Sequence, residues 1–151
     1  MQQDPAYDDV VAQVTAFLRS RIQACTLAGI DVARLCIDPG FGFGKTLDHN
    51  LALVKAIPQL NDALRVPVLA GLSRKSAIGL LTGKPVEQRL AGSLGAALAA
   101  AMNGAAILRV HDVAETIDAL TVFRAMSFDG CLVRTERFLI DSRIIWNNDV
   151  T

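Results

Sequence analysis

The sequence has few cysteines, no net charge and no long apolar run, and each of these shortages excludes a class of protein. Cys25, Cys36 and Cys131 are odd in number and share no C-x-x-C spacing, which favours reduced thiols over a disulfide framework or a zinc site. Fifteen basic residues balance fifteen acidic ones, so no overall field attracts nucleic acid or an anionic membrane. No stretch reaches the ~18 uninterrupted apolar residues of a membrane span, and the N-terminus lacks the pattern of a secretory signal. We therefore expect a cytoplasmic protein that binds neither nucleic acid nor membrane.

Apolar residues recur at helical spacing in several segments of the 151-residue chain. Asp4-Pro5 is typical of an N-cap followed by proline in the first turn, and Gly29 is expected to end the helix that begins there. The other helices are predicted over about residues 48–60, over residues 76–102 as one or two segments, and after the cap-like Asp112.

Three short apolar runs lie between these helices and predict strands at residues 34–37, 66–72 and 105–110. They lack polar alternation, as strands buried on both faces do. Their alternation with helices predicts an α/β fold of about three parallel strands with flanking helices. So narrow a sheet would have two unpaired edges, which indicates part of something larger. Residues 1–126 are expected to form one partial domain, and residues 127–151, which follow no sustained period, are an unassigned tail.

A carboxylate followed by alternating glycine and phenylalanine comes directly after the first predicted strand. In residues 38–45, Asp-Pro-Gly-Phe-Gly-Phe-Gly-Lys, the proline ends the strand and the glycines allow positive φ and close approach to a ligand. A P-loop is excluded because Pro39 stands where that motif needs glycine, and a dinucleotide fingerprint is excluded by Lys45. The pattern suits a flat heterocycle whose N–H groups bind Asp38 while Phe43 stacks on its ring. The alternatives are a turn-forming or helix-capping Asp38 and a Phe43 that packs in the core.

Polar side chains also follow the second and third predicted strands. Lys75 begins a helix, where a cation is unfavourable unless an anion or electron-rich atom lies nearby. Ser73 beside it either receives an anion or caps the helix. Arg109 and His111 point to one face of a strand and Val110 to the other, which favours an anion over a salt-bridging arginine with a core histidine. Since parallel strands end at one edge of a sheet, these groups and the carboxylate turn are expected to form one site.

Three motifs resemble those of the dihydropteroate synthase family. They are Ile37-Asp38-Pro39-Gly40-Phe41-Gly42-Phe43-Gly44-Lys45, Gly71-Leu72-Ser73-Arg74-Lys75-Ser76 and Arg109-Val110-His111-Asp112-Val113. The resemblance extends over residues 1 to about 126 and implies the C-terminal part of a (β/α)8 TIM barrel. It also implies a transferase of folate biosynthesis, a sulfonamide target, that condenses 6-hydroxymethyl-7,8-dihydropterin diphosphate with 4-aminobenzoate.

The resemblance implies a role for each of these residues. Asp38 would bind the amino and ring N–H groups of the pterin, and Lys75 another pterin edge. Arg109 would stack on the pterin and bind diphosphate with His111, while Ser73 would lie near the 4-aminobenzoate carboxylate. Mg²⁺ accompanies the diphosphate in this family, with its ligands expected outside this chain. The implied substrate-binding residues are Asp38, Phe43, Gly71, Ser73, Lys75, Arg109, Val110 and His111, of which Lys75, Arg109 and His111 are expected to be catalytic.

The resemblance covers only part of a barrel that needs about 250 residues. Because the early strands of the barrel are missing, we expect a truncated chain that is inactive alone and that associates as a homodimer. One alternative is a methyltetrahydrofolate-type pterin-binding domain, although a leaving diphosphate explains the cations at 73–75 and 109–111 and methyl transfer does not. The other is a non-catalytic orphan fragment that associates through exposed sheet edges or late helices.

Overall fold

The computed structural model describes residues 6–126, so Asp4-Pro5 and the tail at 127–151 lie outside the described residues. This part of the chain is α/β, with helices around a small parallel sheet. Short 3-10 turns lie at Val32–Arg34 and Val86–Gln88. In chain order the main elements are α1 (Val10–Leu27), α2 (Leu47–Lys55), α3 (Ile57–Leu64), β1 (Leu69–Ala70), α4 (Ser76–Thr82), α5 (Leu90–Met102), β2 (Ile107–Leu108) and α6 (Val113–Met126).

The three predicted strands do lie side by side in parallel, with β1 in the middle. β1 pairs with β2 in the register that sets Leu69 opposite Ile107, and Ile37 forms a single parallel bridge to Val68. The predicted lengths of 34–37, 66–72 and 105–110 were wrong, and Arg34 belongs to a 3-10 turn. A strand extends only where it forms backbone hydrogen bonds with a neighbouring strand. Within residues 6–126 the two outer segments each pair on one side only, which is why the strands are shorter than predicted.

The helices agree with the sequence pattern except at two boundaries. The first helix begins at Val10, where the Asp9 carboxylate accepts two backbone N–H groups of the first turn at 3.0 Å. It ends just before Gly29, as predicted, and that glycine has a φ of 86°. The single helix predicted over 48–60 is instead α2 and α3, because Pro58 in the first turn of α3 has no N–H to bond back into α2.

The later helices follow the prediction more closely. The stretch 76–102 forms two helices, α4 and α5, which was one of the two expectations. The last helix follows Asp112, whose carbonyl accepts the backbone N–H of Thr116 at 3.1 Å. Within the described residues, no helix combines the length and the apolar content that crossing a bilayer requires.

An apolar core fills the space between the sheet and the helices. Helix α1 packs on α2 and α3, while α5 packs on α4, α6 and β2. The largest fully buried side chains are Phe41, Leu53, Ile57, Leu60 and Val68. Burial of one such side chain stabilises the fold by roughly 1.5–3 kcal/mol. Because Phe41 belongs to the segment after the bridge residue Ile37, that segment is anchored in the core and positions the residues around it.

Candidate functional site

Residues 38–45, here called the Gly-Phe turn, leave the sheet directly after the bridge at Ile37. Gly40, Gly42 and Gly44 have φ values of 74°, 77° and 54°, which favour glycine. At Gly42 the space is also limited, since a Cβ there would lie 2.8 Å from Cδ of Lys75. The turn therefore needs glycine both for its backbone and for the close approach of a lysine from another loop.

Asp38 lies at the start of this turn with its side chain exposed. Its Oδ1 accepts the N–H of Gly40 at 2.8 Å, so the turn-forming alternative is confirmed. The carboxylate also acts on two lysines: burial lowers the pKa of both Lys45 and Lys75, and the negative charge of Asp38 partly opposes that shift. Asp38 thus combines a structural bond with a negative charge that faces two cations.

Lys75 reaches from the start of α4 into the Gly-Phe turn. Its Nζ donates to the carbonyl of Phe41 and lies 4.5 Å from the ring centroid of Phe43. Burial lowers the pKa of Lys75, the Asp38 carboxylate opposes this, and the positive charges of Arg109 and Lys45 lower the pKa further. The lysine that the sequence singled out is therefore partly desolvated and surrounded by charged groups.

The two phenylalanines of the turn have opposite environments. Phe41 is fully buried, whereas the side chain of Phe43 is 58% exposed. The alternative that Phe43 packs in the core is therefore wrong, and Phe41 fills that position. Phe43 presents its ring beside the Lys75 ammonium, where a flat ligand can stack on it.

Two residues that hold the turn were not singled out by the sequence. Lys45 donates from Nζ to the carbonyls of Gly40 at 3.0 Å and Phe43 at 3.1 Å, and burial lowers its pKa. Asn50, which is buried, accepts the N–H of Gly42 at 2.6 Å. The signal for Lys45 is its place inside the glycine motif, whereas a lone asparagine in the first turns of a helix carries no comparable signal.

Residues 73–75, here called the Ser-Arg-Lys loop, follow β1 and contact the end of β2. Ser73 Oγ accepts the backbone N–H of His111 at 3.3 Å and lies 3.0 Å from Nδ1 of that ring. Ser73 is 6% exposed, and the N-cap of α4 is Lys75, so Ser73 does not cap that helix. The side chain of His111 is exposed, so it is not a core histidine. Ser73 instead holds the histidine through its Nδ1 side.

Arg109 lies against Gly71, which directly follows β1. A Cβ on Gly71 would lie 3.0 Å from Nη2 of Arg109, so the absence of a side chain at 71 makes room for the guanidinium. Arg109 is half-buried and its neighbour Val110 is buried, as strand alternation predicts. The three predicted strand ends thus meet at one edge of the sheet, where Asp38, Lys75 and Arg109 interact electrostatically.

A cavity of about 450 Å³ opens beside the Gly-Phe turn. It lies between the start of α2 and α4, and Lys45, Asn50, Ser76 and Arg89 contribute to its wall. Within residues 6–126 no group of three or more His, Cys, Asp or Glu side chains is placed to hold a metal ion. The described part of the site offers a carboxylate, an aromatic ring and several cations, which together suit an aromatic heterocycle that carries an anionic group.

Comparison with known proteins identifies the family. The pterin binding enzyme family matches residues 1–111. The dihydropteroate synthase of Neisseria meningitidis serogroup B is 48% identical over 132 residues, which are 85% of this chain and 46% of that protein. The Escherichia coli K12 dihydropteroate synthase is 47% identical over 125 residues, covering 83% of this chain and 44% of that protein. The chain therefore spans less than half the length of these curated relatives.

Solved structures agree in fold and sequence. Xanthomonas albilineans dihydropteroate synthase in complex with 7,8-dihydropteroate is 59% identical and has a TM-score of 0.78 over 83% of this chain and 48% of that chain. The same enzyme with 4-aminobenzoic acid is 61% identical, with a TM-score of 0.78 over 80% of this chain and 44% of that chain. These neighbours are TIM-barrel enzymes, so the predicted fold class, the C-terminal part of such a barrel, is confirmed.

Proposed function

Because this chain belongs to the pterin binding enzyme family, we propose that the protein built from it is a dihydropteroate synthase. The reaction joins 6-hydroxymethyl-7,8-dihydropterin diphosphate to 4-aminobenzoate. The observation that supports this most is the meeting of Asp38, Lys75 and Arg109 around the Gly-Phe turn, since one carboxylate beside two cations suits a pterin that carries diphosphate. The chain supplies this wall of the site.

Asp38 binds the pterin in this proposal. Its Oδ1 already accepts the N–H of Gly40, which fixes the carboxylate directly after the bridge at Ile37. A carboxylate accepts several hydrogen bonds at once, so Asp38 can also receive the amino and ring N–H groups of the pterin. Lys75 lies close enough to interact with Asp38 and is assigned to another pterin edge.

Arg109 and His111 bind the leaving diphosphate. Arg109 is permanently charged, and its planar guanidinium both stacks on a ring and donates to phosphate oxygens. Because Ser73 engages Nδ1 of His111, Nε2 is the ring nitrogen assigned to the diphosphate. As the bond between the pterin methylene carbon and the diphosphate oxygen breaks, these groups and Lys75 stabilise the negative charge that develops on the diphosphate.

The second substrate is placed beside the pterin. The amine nitrogen of 4-aminobenzoate forms a bond to the methylene carbon and loses a proton, which completes the condensation. Phe43, whose ring is exposed, lines the junction of the two substrates, and the carboxylate of 4-aminobenzoate lies near Ser73 and the start of α4. Gly71 leaves room for the guanidinium of Arg109. The side chain of Val110 packs in the core, so only its backbone can contribute to the site.

Mg²⁺ is proposed to accompany the diphosphate, as the family resemblance implies. The described residues do not themselves form a metal site, since the Asp38 carboxylate faces two lysines and the Asp112 carboxylate pairs with Arg74. We therefore assign no step of the reaction to the ion on this wall.

The chain is also proposed to form a homodimer. Large apolar side chains are exposed on α4 and α6, including Leu80, Leu81, Val122 and Met126, and they support a homodimer through late helices. Light scattering after size exclusion tests this, and a monomer at high concentration would contradict it.

The free thiols of Cys25 and Cys36 support a cytoplasmic location.

The reaction is tested by the formation of dihydropteroate. We expect no turnover from the 151-residue chain alone, which spans 44% of the Escherichia coli relative. Turnover should return in a chimera in which residues 1–126 replace the matched portion of that relative. In the chimera Asp38→Asn should abolish turnover, whereas Asp62→Asn, on the exposed side of α3, is the matched control. A folded chimera without turnover, or turnover that survives Asp38→Asn, would contradict the proposal.

A further inference from the structure

Arg74, the middle residue of the Ser-Arg-Lys loop, has an unusual backbone conformation. Its φ is 56°, a left-handed value that costs a non-glycine residue about 1–2 kcal/mol. Arg65 has a similar φ of 55°, but it caps the end of α3, where this conformation is common. Arg74 lies in a loop between a strand and a helix, in a turn that the Lys75 N–H closes onto the Leu72 carbonyl at 3.3 Å. Contacts from the surrounding structure add to this weak local bond and offset the cost of the conformation.

Two residues at the N-terminal end of α5, the N-cap Arg89 and Ser93, bond both backbone groups of Arg74. Ser93 Oγ accepts the Arg74 N–H at 2.9 Å and donates to the carbonyl of Arg89 at 2.7 Å. Arg89 Nη1 donates to the carbonyl of Arg74 at 3.0 Å. Ser93 is 4% exposed, so its hydroxyl meets Arg74 away from competing water. Serine and arginine thus clamp the peptide groups on either side of the strained residue.

The side chain of Arg89 is itself held in place. Arg89 Nε donates to the carbonyl of Lys84 at 3.0 Å, which ties the side chain to the segment between α4 and α5. The guanidinium then passes over α4 at Gly79, where an added Cβ would overlap it. Arg89 reaches the loop because α4 has no side chain at that position.

The clamped residue stands between two side chains of the candidate site. Before it, Ser73 bonds His111. After it, Lys75 reaches the carbonyl of Phe41 and the ring of Phe43. A change in the φ of Arg74 would rotate these two neighbours relative to each other, because the peptide planes that carry them meet at this residue.

We infer that Arg89 and Ser93 are positioning residues, which hold Arg74 in its left-handed conformation and thereby direct Ser73 to His111 and Lys75 to the Gly-Phe turn. Neither residue belongs to the three motifs at the strand ends. The effect on catalysis rests on the proposed function, whereas the effect on the position of Lys75 does not.

The position of Lys75 is measured directly through the pKa of its amine, by side-chain NMR on the 151-residue chain without ligand. Burial lowers this pKa in the intact chain, and Asp38, Arg109 and Lys45 are the charges that act on it. Ser93→Ala and Arg89→Lys each remove or weaken a bond to the backbone of Arg74. Lys75 should then become more exposed to solvent, and its pKa should rise toward the ordinary 10.5. Ser93→Thr keeps the hydroxyl and should preserve the lowered pKa.

Ser20→Ala is the matched control, because Ser20 also bonds a carbonyl of its own helix but lies exposed on α1. The pKa of Lys75 should not change in this variant. An unchanged pKa in both Ser93→Ala and Arg89→Lys would overturn the inference, as would a rise of equal size in Ser93→Thr. If Ser93→Ala fails to fold, Arg89→Lys decides the question, since Arg89 is only half-buried.

The catalytic consequence is measured in the chimera described above. Arg89→Lys should lower kcat/KM about tenfold, and it should cause little further loss in a Lys75→Ala background, because both changes remove the same group from the site. Full additivity of the two losses would overturn the inference for catalysis. A parent chimera without turnover would count against the proposed function alone, because the pKa measurement needs no substrate.

Discussion

The Gly-Phe turn and the Ser-Arg-Lys loop face each other at one edge of the sheet, but different groups hold them. The turn is anchored by one buried ring, Phe41, and by the ammonium groups of Lys45 and Lys75, which donate to its carbonyls. The loop is held by a hydroxyl and by the guanidinium groups of Arg89 and Arg74. Ammonium groups can lose their proton within the range in which proteins stay folded, whereas guanidinium groups do not.

This difference separates the two segments by how they respond to change. The turn depends on the core and on pH, because a buried ring and two lysines of lowered pKa support it. The conformation of the loop depends on directional hydrogen bonds, because these bonds hold Arg74 at an unfavourable φ. Three measurements test this contrast, beginning with the largest effect.

Removal of the anchor should affect the turn most strongly. Phe41→Ala leaves a cavity at a fully buried position and should lower the free energy of unfolding by about 3–5 kcal/mol. Phe43→Ala is the matched control two residues away, where the ring is 58% exposed and the loss should stay below about 1 kcal/mol. Urea denaturation of both variants gives the values. Equal losses would show that the turn is not anchored through Phe41.

The second measurement follows stability with pH. The unfolded chain keeps a proton on Lys75 up to the ordinary pKa of 10.5, whereas the folded chain releases it at lower pH. Between these two values the folded state binds fewer protons, so the free energy of unfolding should rise as the pH increases through that window. The penalty for burying the charge is present in full below the folded pKa and disappears above 10.5.

Urea titrations at a series of pH values up to the ordinary pKa of 10.5 measure this rise. Lys75→Met should reduce it, because the contribution of Lys75 is then removed while that of Lys45 remains. Lys84→Met, which changes an exposed lysine, should leave the rise intact. A rise that Lys75→Met leaves at full size would show that the turn does not owe its pH dependence to Lys75.

The smallest effect is expected at the ion pair of the loop. Arg74 Nε donates to Oδ2 of Asp112 at 3.1 Å, and the Arg74 side chain is 41% exposed. Such a pair contributes only about 0.2–1 kcal/mol, so Asp112→Asn should cost little, and high salt should reduce the loss further. Asp62→Asn serves as the exposed control. A loss of more than about 2 kcal/mol would mean that the ion pair, rather than Ser93 and Arg89, holds the loop.

Much of the site was predictable from the sequence because parallel strands end at one edge. Asp38, Lys75 and Arg109 each follow or end an apolar run, and this topology alone brings them together. The positive φ values of the glycines at 40, 42 and 44 were equally predictable, since three closely spaced glycines are costly unless the backbone needs that conformation. The helix break at Pro58 had a local signal as well, although the apolar period around it predicted one continuous helix.

Other parts had no signal along the chain. The bond between Ser73 and His111 joins residues 38 positions apart, and a serine before a helix is more often an N-cap. The lengths of the strands depend on which neighbours pair with them, so apolar runs overstate them. Ser93 stands in a helix of small residues, where nothing local distinguishes a serine that bonds a distant loop from one that fills space.

Gly79 has a consequence for the evolution of this surface. Replacement of a helix glycine by alanine ordinarily strengthens the helix by about 1 kcal/mol. In α4 the same replacement would displace the tip of a flexible arginine, which moves at little cost to folding. A substitution that improves the helix would therefore detach Arg89 from Arg74 and loosen the backbone before Lys75. Selection on stability alone would favour alanine at position 79, and only selection on the geometry of the site would retain glycine.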